Sequence, residues 1–326
     1  MILPYILRLV CLCFASFFLI YAALSLAAWL VAPSAIRLGE SLKPRFAARL
    51  LLVLRLSPIA VAAFIVSALC VPSYLWLEPD ANAERVGIAC CFAALLGVAL
   101  WTISLGRVLR AIFISLRYRR QCERQSNATI VSREQTPLLV VDSEDAVLAL
   151  AGVIRPRVVV SRGVLQALSP HQLDAALEHE RAHQFSRDNL KRFFLLLAPG
   201  IFPFSRGFAA MDRSWARFTE WAADDRAAAG DPQRSLSLAE ALVRVARMGA
   251  SPRTSSFVSC LIEDGRDLFI RVDRLLGLEA PAEKASRKMR ALFAGISLVI
   301  AGLLVAAMTH PATLYSVHRL LEHLIR

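Results

Sequence analysis

Four long apolar segments constrain the fold of this 326-residue chain more than any other feature. They run from about 10 to 31, 56 to 76, 86 to 105 and 291 to 308. An α-helix needs about 20 apolar residues to cross a bilayer, and each segment is close to that length. The first run is longer than the ~7–15 residues of a signal-peptide core, so we expect it to stay in the chain. The sequence therefore predicts a mainly α membrane protein with four transmembrane helices.

The basic residues fall on one side of these four spans. They cluster after the first and third spans and before the fourth, at Arg37, Lys43, Arg45, Arg49, Arg107, Arg110, Arg117, Arg119, Arg120, Lys284, Arg287, Lys288 and Arg290. Cytoplasmic loops of membrane proteins carry the excess of lysine and arginine. We therefore expect a multi-pass protein of the inner (cytoplasmic) membrane, with residues 117–289 cytoplasmic and both termini outside. The net charge of +12 is then explained by basic loops on the cytoplasmic side, and we expect no direct binding of nucleic acid.

This pattern divides the chain into three parts. Residues 1–116 hold the first three spans, 117–289 form a cytoplasmic domain, and 290–326 hold the fourth span and a short tail. The seven cysteines form no Cys-x-x-Cys pair, so they indicate neither a disulfide framework nor a cysteine metal site. The tail has three histidines, but their spacing favours an amphipathic helix at the membrane surface over a metal site.

The cytoplasmic domain begins with a strand-like pattern. Short β-branched or apolar runs lie at 129–131, 138–141 and 158–160, separated by the turn-forming pairs Asp142-Ser143 and Arg155-Pro156. Such runs between turn residues are typical of short strands. We expect a small β-sheet of about three strands, which makes the domain α+β.

A helix with a clear start follows the strands. Ser169 is a good N-cap, Pro170 suits the first helical position, and Gln172 completes a capping box. The apolar stripe beyond it predicts a helix to about Phe185, and a second stripe predicts another helix over 209–229. The run 193–204 between them is too short to span and contains two prolines and a glycine. We expect it to be a buried loop or to enter the membrane surface.

The first of these helices carries a metal-binding motif. His179 and His183 are i and i+4, so on a helix both imidazoles point to one side and can hold one metal ion. Glu180 lies beside them and suits a general base that takes a proton from water. With only six histidines in the chain, a chance His-Glu-x-x-His has a probability on the order of one in a hundred. The alternative is a solvated polar helix face.

Two histidines leave such a site one protein ligand short, because a zinc peptidase needs three ligands plus water. Glu220 is the best candidate, since it lies on the second predicted helix in the run Glu220-Trp221-Ala222-Ala223-Asp224. The two alanines would let the helices approach closely, and Asp224 lies one turn on, where it can orient a ligand. Spacing alone leaves open that Glu220 is a surface carboxylate.

These motifs resemble a known family. His179 to His183 and Glu220 to Asp224 look like the gluzincin pattern His-Glu-x-x-His with Glu-x-x-x-Asp. The stretches 155–161, 173–183 and 187–189 closely resemble BlaR/MecR-type antirepressor membrane zinc metallopeptidases, which also place the protease between the third and fourth spans.

The resemblance implies a gluzincin-like domain that binds Zn2+ through His179, His183 and Glu220, with Glu180 as the catalytic base. Asp188 and Asp224 would fix the ligand imidazoles. A cap or a salt bridge with nearby Arg187 or Arg226 would also explain these two aspartates. For the group that stabilises the oxyanion, the sequence leaves Arg213, Arg217 and Arg226 open.

One departure from the family bears on function. Its best-known members carry a penicillin-binding sensor after the last span, whereas this chain ends there, so we do not expect β-lactam sensing. The leading hypothesis is a membrane zinc endopeptidase that cleaves a protein or peptide substrate, such as a transcriptional repressor. Its stimulus is left open between a separate sensor protein and a component of the membrane. The alternatives are HtpX-like quality control of membrane proteins and a non-catalytic zinc-binding scaffold. The intact Glu180 argues against the scaffold, because a structural metal site needs no base.

Overall fold

A computed structural model of the protein describes residues 4–77, 86–125, 138–154, 156–200, 205–249, 258–260, 265–277 and 311–325. Within these ranges the chain is mostly helical and has one small sheet. The mainly α character and the small sheet are therefore confirmed. The predicted strand at 129–131 and the fourth apolar segment at 291–308 lie outside the described residues.

Three long helical stretches are apolar enough to cross a membrane, judged by length and composition. They contain the first three predicted spans. The first is α1 (Tyr5–Glu40) and the third is α4 (Ile88–Gln125). The second is a continuous stretch of α2 (Pro44–Ile65), a π-helical segment (Val66–Cys70) and α3 (Val71–Leu77). Pro72 cannot donate a backbone hydrogen bond, which weakens the α-helical pattern at the π-helical segment.

These helices are longer than a bilayer requires. The 36 residues of α1 extend about 54 Å at 1.5 Å per residue, whereas the hydrocarbon core is about 30 Å thick. The surplus of α1 and α2 packs against the described residues of 138–277, which we call the soluble domain, and there Ala47 and Leu51 share a core with Trp215 and Phe218. A Cβ on Gly39 would lie 2.8 Å from the Phe218 ring, so glycine is needed for this close approach.

The sheet has four short strands in the spatial order β1-β3-β2-β4. They are β1 (Leu138–Val141), β2 (Leu148–Ala151), β3 (Arg157–Ser161) and β4 (Val258–Cys260). β3 pairs with β1 in parallel and with β2 antiparallel, and β2 pairs antiparallel with β4. The predicted strands at 138–141 and 158–160 are confirmed, while β2 and β4 are additional.

Seven helices complete the described chain. They are α5 (Arg162–Ala167), α6 (Pro170–Ser186), α7 (Asp188–Leu197), α8 (Ser205–Ala228), α9 (Pro232–Arg247), α10 (Gly265–Leu275) and α11 (Pro311–Ile325). The soluble core lies where α6, α8 and α9 cover the sheet, and its buried members include Leu148, Leu150, Val158, Val160, Ala176, Leu238 and Leu242. This core fixes the position of α6 relative to α8.

The two helices predicted for the soluble domain are both present. At the start of α6, Ser169 and Gln172 form the expected capping box, and the helix ends at Ser186. α8 begins a few residues earlier than predicted and ends at Ala228. For the segment 193–204, the expected loop is wrong for the first part, because α7 continues through Leu197, while entry into the membrane surface stays a prediction. Phe193 and Leu197 thus extend the helix that begins at Asp188.

Arg55 joins the membrane helices to the soluble domain. Its Nε donates to Asp212 Oδ1 at 3.2 Å and its Nη2 donates to the Ala198 carbonyl at 3.2 Å. The guanidinium also stacks 4.5 Å from the centre of the Phe208 ring. In addition, Tyr21 of α1 donates a hydrogen bond to the Pro199 carbonyl. Together these contacts hold the connection between α7 and α8 against α1 and α2.

We expect Arg55→Ala to lower the midpoint of thermal unfolding in detergent. The Arg55 side chain is buried, whereas Asp212 is partly exposed, so the loss of free energy of unfolding should be about 1–3 kcal/mol. Arg49→Ala is the matched control, because Arg49 is exposed on the same helix. Equal unfolding midpoints for the two variants would contradict this role of Arg55.

Candidate metal centre

α6 and α8 bring three potential metal ligands together. His179 and His183 are one turn apart on α6, and their Nε2 atoms are 3.1 Å from each other. Glu220 of α8 places Oε2 3.4 Å from His179 Nε2 and Oε1 3.5 Å from His183 Nε2. The three ligand atoms all lie within 4.8 Å of one another. The side chains of the two sequence motifs thus meet at one point of the fold.

Small residues allow this approach of the two helices. Ala176 on α6 and Ala227 on α8 belong to the same buried core. Ala223, beside Asp224, is also buried. Larger side chains at these positions would separate the helices and move Glu220 away from the histidines.

Each histidine is oriented by a carboxylate at its other ring nitrogen. Asp224 Oδ1 lies 2.9 Å from His179 Nδ1, and Asp188 Oδ2 lies 2.8 Å from His183 Nδ1. These contacts leave both Nε2 atoms facing Glu220. Carboxylates that accept a hydrogen bond from the other ring nitrogen orient metal-binding imidazoles in this way. Arg187 has a left-handed backbone, with φ of 54°, and this sharp turn between α6 and α7 brings Asp188 back to His183.

The basic residues that pair with Asp188 and Asp224 are not those that the sequence suggested as salt-bridge partners. Asp188 pairs with Lys191, whose Nζ is 2.7 Å from Oδ1, and Asp224 pairs with Arg271. The sequence alternatives named Arg187 and Arg226 as their salt-bridge partners instead.

Arg271 of α10 is the site residue that sequence reasoning missed. Its Nε and Nη2 donate to the two carboxylate oxygens of Asp224 at 2.8 and 2.7 Å. Its Nη1 is 3.2 Å from Glu220 Oε2. The side chain is buried. No spacing rule points to Arg271, but a buried carboxylate needs a counter-charge, and this requirement alone could have prompted a search for one.

Within the described residues, none of the three arginines left open as oxyanion groups pairs with a candidate metal ligand. Arg217 pairs with Glu40 at 3.1 Å, and Arg226 stacks 3.8 Å from the centre of the Phe185 ring. Arg213 is exposed. The arginines that approach the candidate ligands are Arg271 and Arg192, whose Nη2 is 3.9 Å from Glu220 Oε1.

The electrostatics of the centre favour a cation. Burial lowers the pKa of His183, but Glu220 and Asp188 outweigh it and raise that pKa to about 10. Burial raises the pKa of Asp224, but Arg271 and His179 lower it to about 2. In the same way, the two histidines and Arg271 hold the pKa of Glu220 well below its usual value. Ionised carboxylates therefore surround the two imidazoles.

Glu180 behaves differently from the other carboxylates. Burial raises its pKa to about 7, although His179 and His183 partly oppose the shift. Both of its carboxylate oxygens are buried and accept no hydrogen bond from the described part of the chain. Buried carboxylate oxygens are normally satisfied. These orphaned oxygens, beside two imidazoles and a further carboxylate, fit a bound metal ion with a water molecule.

A comparison with protein-family models matches residues 116–320 to peptidase family M48, which is more than half of the chain. The chain therefore belongs to peptidase family M48. The family match, the group of three candidate ligands and the apolar helices together make it a membrane-associated metallopeptidase. No curated protein matches it.

We expect Arg271→Lys to weaken metal binding by about 10–100-fold, because lysine cannot form the two-pronged contact that holds Asp224 against His179. Competition with a chelator of known affinity would measure this. Arg274→Lys is the matched control, since Arg274 lies one turn on along α10 and pairs with Asp225, which is exposed. Unchanged affinity in Arg271→Lys, or an equal loss in the control, would contradict this role.

Proposed function

We propose that this member of peptidase family M48 is a zinc endopeptidase anchored in the membrane. His179, His183 and Glu220 hold the zinc ion and Glu180 is the general base. The observation that carries the proposal is the meeting of these three ligands beside Glu180, a buried carboxylate with no hydrogen-bond partner among the described residues. A metal site that served only structure would have a fourth protein ligand instead of a free base.

The protein side chains then have distinct tasks. Zinc, when bound, polarises the peptide carbonyl and makes water more acidic. Glu180 takes the proton from the attacking water and delivers it to the departing amine, for which a pKa near neutrality is suited. Asp188 and Asp224 keep the two Nε2 atoms aimed at the metal, and Arg271 keeps Asp224 in place.

A fourth membrane crossing at 291–308 is part of this proposal. α10 packs on α8 and α9 in the soluble domain, whereas α11 packs on α3 at the far end of the helix bundle. There Ser73 donates a hydrogen bond to the Leu314 carbonyl at 3.0 Å, and Leu321 joins the core around Tyr74. α10 and α11 thus pack on different parts of the fold, and the one long apolar segment in the sequence between them is 291–308, which supports a fourth crossing.

We also propose that the peptidase domain faces the cytoplasm of a cell whose inner membrane holds the four spans. The turn between α1 and α2, with Lys43 and Arg45, lies at the same end of the bundle as the soluble domain, since α2 packs on α8. A basic loop marks the cytoplasmic side. Both termini then lie outside.

The proposed substrate is a cytoplasmic or membrane protein, and a transcriptional repressor is the leading candidate. This rests on the BlaR/MecR-like motifs, one of which, Arg187-Asp188-Asn189, has a clear structural task. Asn189 donates to the carbonyls of Leu150 and Gly152 at 3.1 and 2.8 Å, which ties α7 to the end of β2. Mass spectrometry of proteins that stay bound to the Glu180→Gln variant would distinguish a repressor from misfolded membrane proteins.

We expect Glu180→Gln to keep zinc and to lose cleavage, while His183→Ala loses both. The amide keeps the size of the side chain but cannot accept a proton, whereas His183 supplies a ligand atom. Zinc content by elemental analysis and cleavage of a labelled protein test the two effects separately. Glu178→Gln is the control, because Glu178 is a partly exposed carboxylate on the same helix. Cleavage by Glu180→Gln would contradict the mechanism.

The pH dependence of kcat/KM tests the same base. Glu180 must be ionised to accept a proton, and burial raises its pKa to about 7. Metal binding beside it favours the ionised form, so the acid limb should be centred at or below about pH 7. Below that point kcat/KM should fall about tenfold per pH unit, and above it the value should level off. A limb centred well above pH 7 would contradict this role of Glu180.

A further inference from the structure

A basic cavity lies beside the candidate metal centre. It has a volume of about 750 Å3, and its walls come from the α1–α2 turn, α2, the α6–α7 turn and α8. Two of its lining residues adjoin the centre, because Asp188 contacts His183 and Thr219 precedes Glu220. Volumes of about 300–1,000 Å3 are usual for ligand pockets. A molecule bound here would therefore lie next to the metal ligands.

The charge of this cavity is strongly positive. Its lining includes five cationic side chains, namely Lys43, Arg45, Arg49, Lys191 and Arg226, and two carboxylates, Asp188 and Asp225. Both carboxylates are already engaged, Asp188 by His183 and Lys191 and Asp225 by Arg274 at 2.7 Å. The cations come from three parts of the fold, namely α2 with its N-cap residue, α7 and α8, so they do not form the solvated face of a single helix.

Aromatic stacking positions two of these cations without neutralising them. The guanidinium of Arg226 lies 3.8 Å from the centre of the Phe185 ring, and that of Arg45 lies 4.7 Å from the centre of the Phe46 ring. A stacked arginine keeps its charge and its hydrogen-bond donors. Phe185 and Leu52 add apolar surface to the lining. The cavity thus combines fixed positive charge with apolar surface.

We propose that this cavity binds an acidic segment of the protein substrate, while the peptide bond to be cut lies at the metal centre. Aspartate or glutamate side chains of the segment would face Arg49 and Arg226, and flanking apolar residues would pack on Phe185 and Leu52. This substrate class rests on the proposed peptidase function.

The position of the cavity favours a peptide over phospholipid headgroups. Arg49 and Lys43 precede the apolar segment that begins at 56, by about 10 and about 20 Å of helix respectively. The far wall of the cavity is formed by α6 and α8, the helices that carry the candidate ligands. Headgroups at the membrane surface would reach only the nearest of these cations.

Binding to the full-length, zinc-loaded Glu180→Gln variant tests the proposal. A short fluorescent peptide rich in glutamate is compared, by fluorescence anisotropy, with the same peptide carrying glutamine at each of those positions. The acidic peptide should bind about tenfold more tightly, and added salt should narrow the difference. In the same background, the added substitutions Arg49→Gln and Arg226→Gln should reduce the preference to less than about threefold, whereas Arg49→Lys and Arg226→Lys should keep most of it.

The matched control carries Arg162→Gln and Arg234→Gln, which remove the same charge at exposed positions outside the cavity. It should bind like the parent. Equal affinity for the two peptides, or an equal loss in the control, would overturn the proposal.

The measurement is repeated in nanodiscs of phosphatidylcholine with and without phosphatidylglycerol, and a preference abolished by phosphatidylglycerol would assign the cavity to lipid. If zinc-loaded wild-type protein cleaves nothing while the preference persists, only the proposed peptidase function fails.

Discussion

The structure depends on how it accommodates a group of buried charges. His179, Glu180, His183, Glu220 and Asp224 are all nearly inaccessible to water, and isolated buried charges cost several kcal/mol each. They are tolerable only as a connected set, in which the bidentate pair of Asp224 and Arg271 joins α8 to α10 and the Asp224–His179 contact joins α8 to α6. This requirement fixes three helices relative to one another, and it explains why α10 carries a buried arginine. A dication among the remaining carboxylates would complete the balance of charge.

The extensions of the long apolar helices also hold α8, and with it Glu220, in position. α8 carries Glu220 and Asp224, and its other faces pack on the extensions of α1 and α2 through Trp215 and Phe218. Arg55 contacts Asp212, which lies about two turns before Glu220 on the same helix. A shift of the α1–α2 hairpin would therefore move the helix that supplies Glu220.

Much of the centre could be predicted from the sequence, because its signals are local. The start of α6 needs only Ser169, Pro170 and Gln172, and the alignment of His179 with His183 follows from helix periodicity. Glu220 required the further assumption that two helices pack together. Arg271 had no local signal, since it is one of 38 lysines and arginines and its role arises only from tertiary packing. β2 was missed because Leu148 to Ala151 contains no β-branched residue, and its pairing with β3 and β4 supplies what its composition lacks.

The basic residues of the α1–α2 turn show how one group of side chains can meet two constraints. In the sequence, Lys43, Arg45 and Arg49 predict which side of the membrane this turn faces, because lysine and arginine are enriched in cytoplasmic loops. In the fold they also line the cavity beside the candidate metal centre. Both roles require these residues and the peptidase domain to lie at one end of the helix bundle, and the packing of α2 on α8 brings them together there. A rearrangement that moved this turn across the membrane would remove the cavity wall and the support of α8 together.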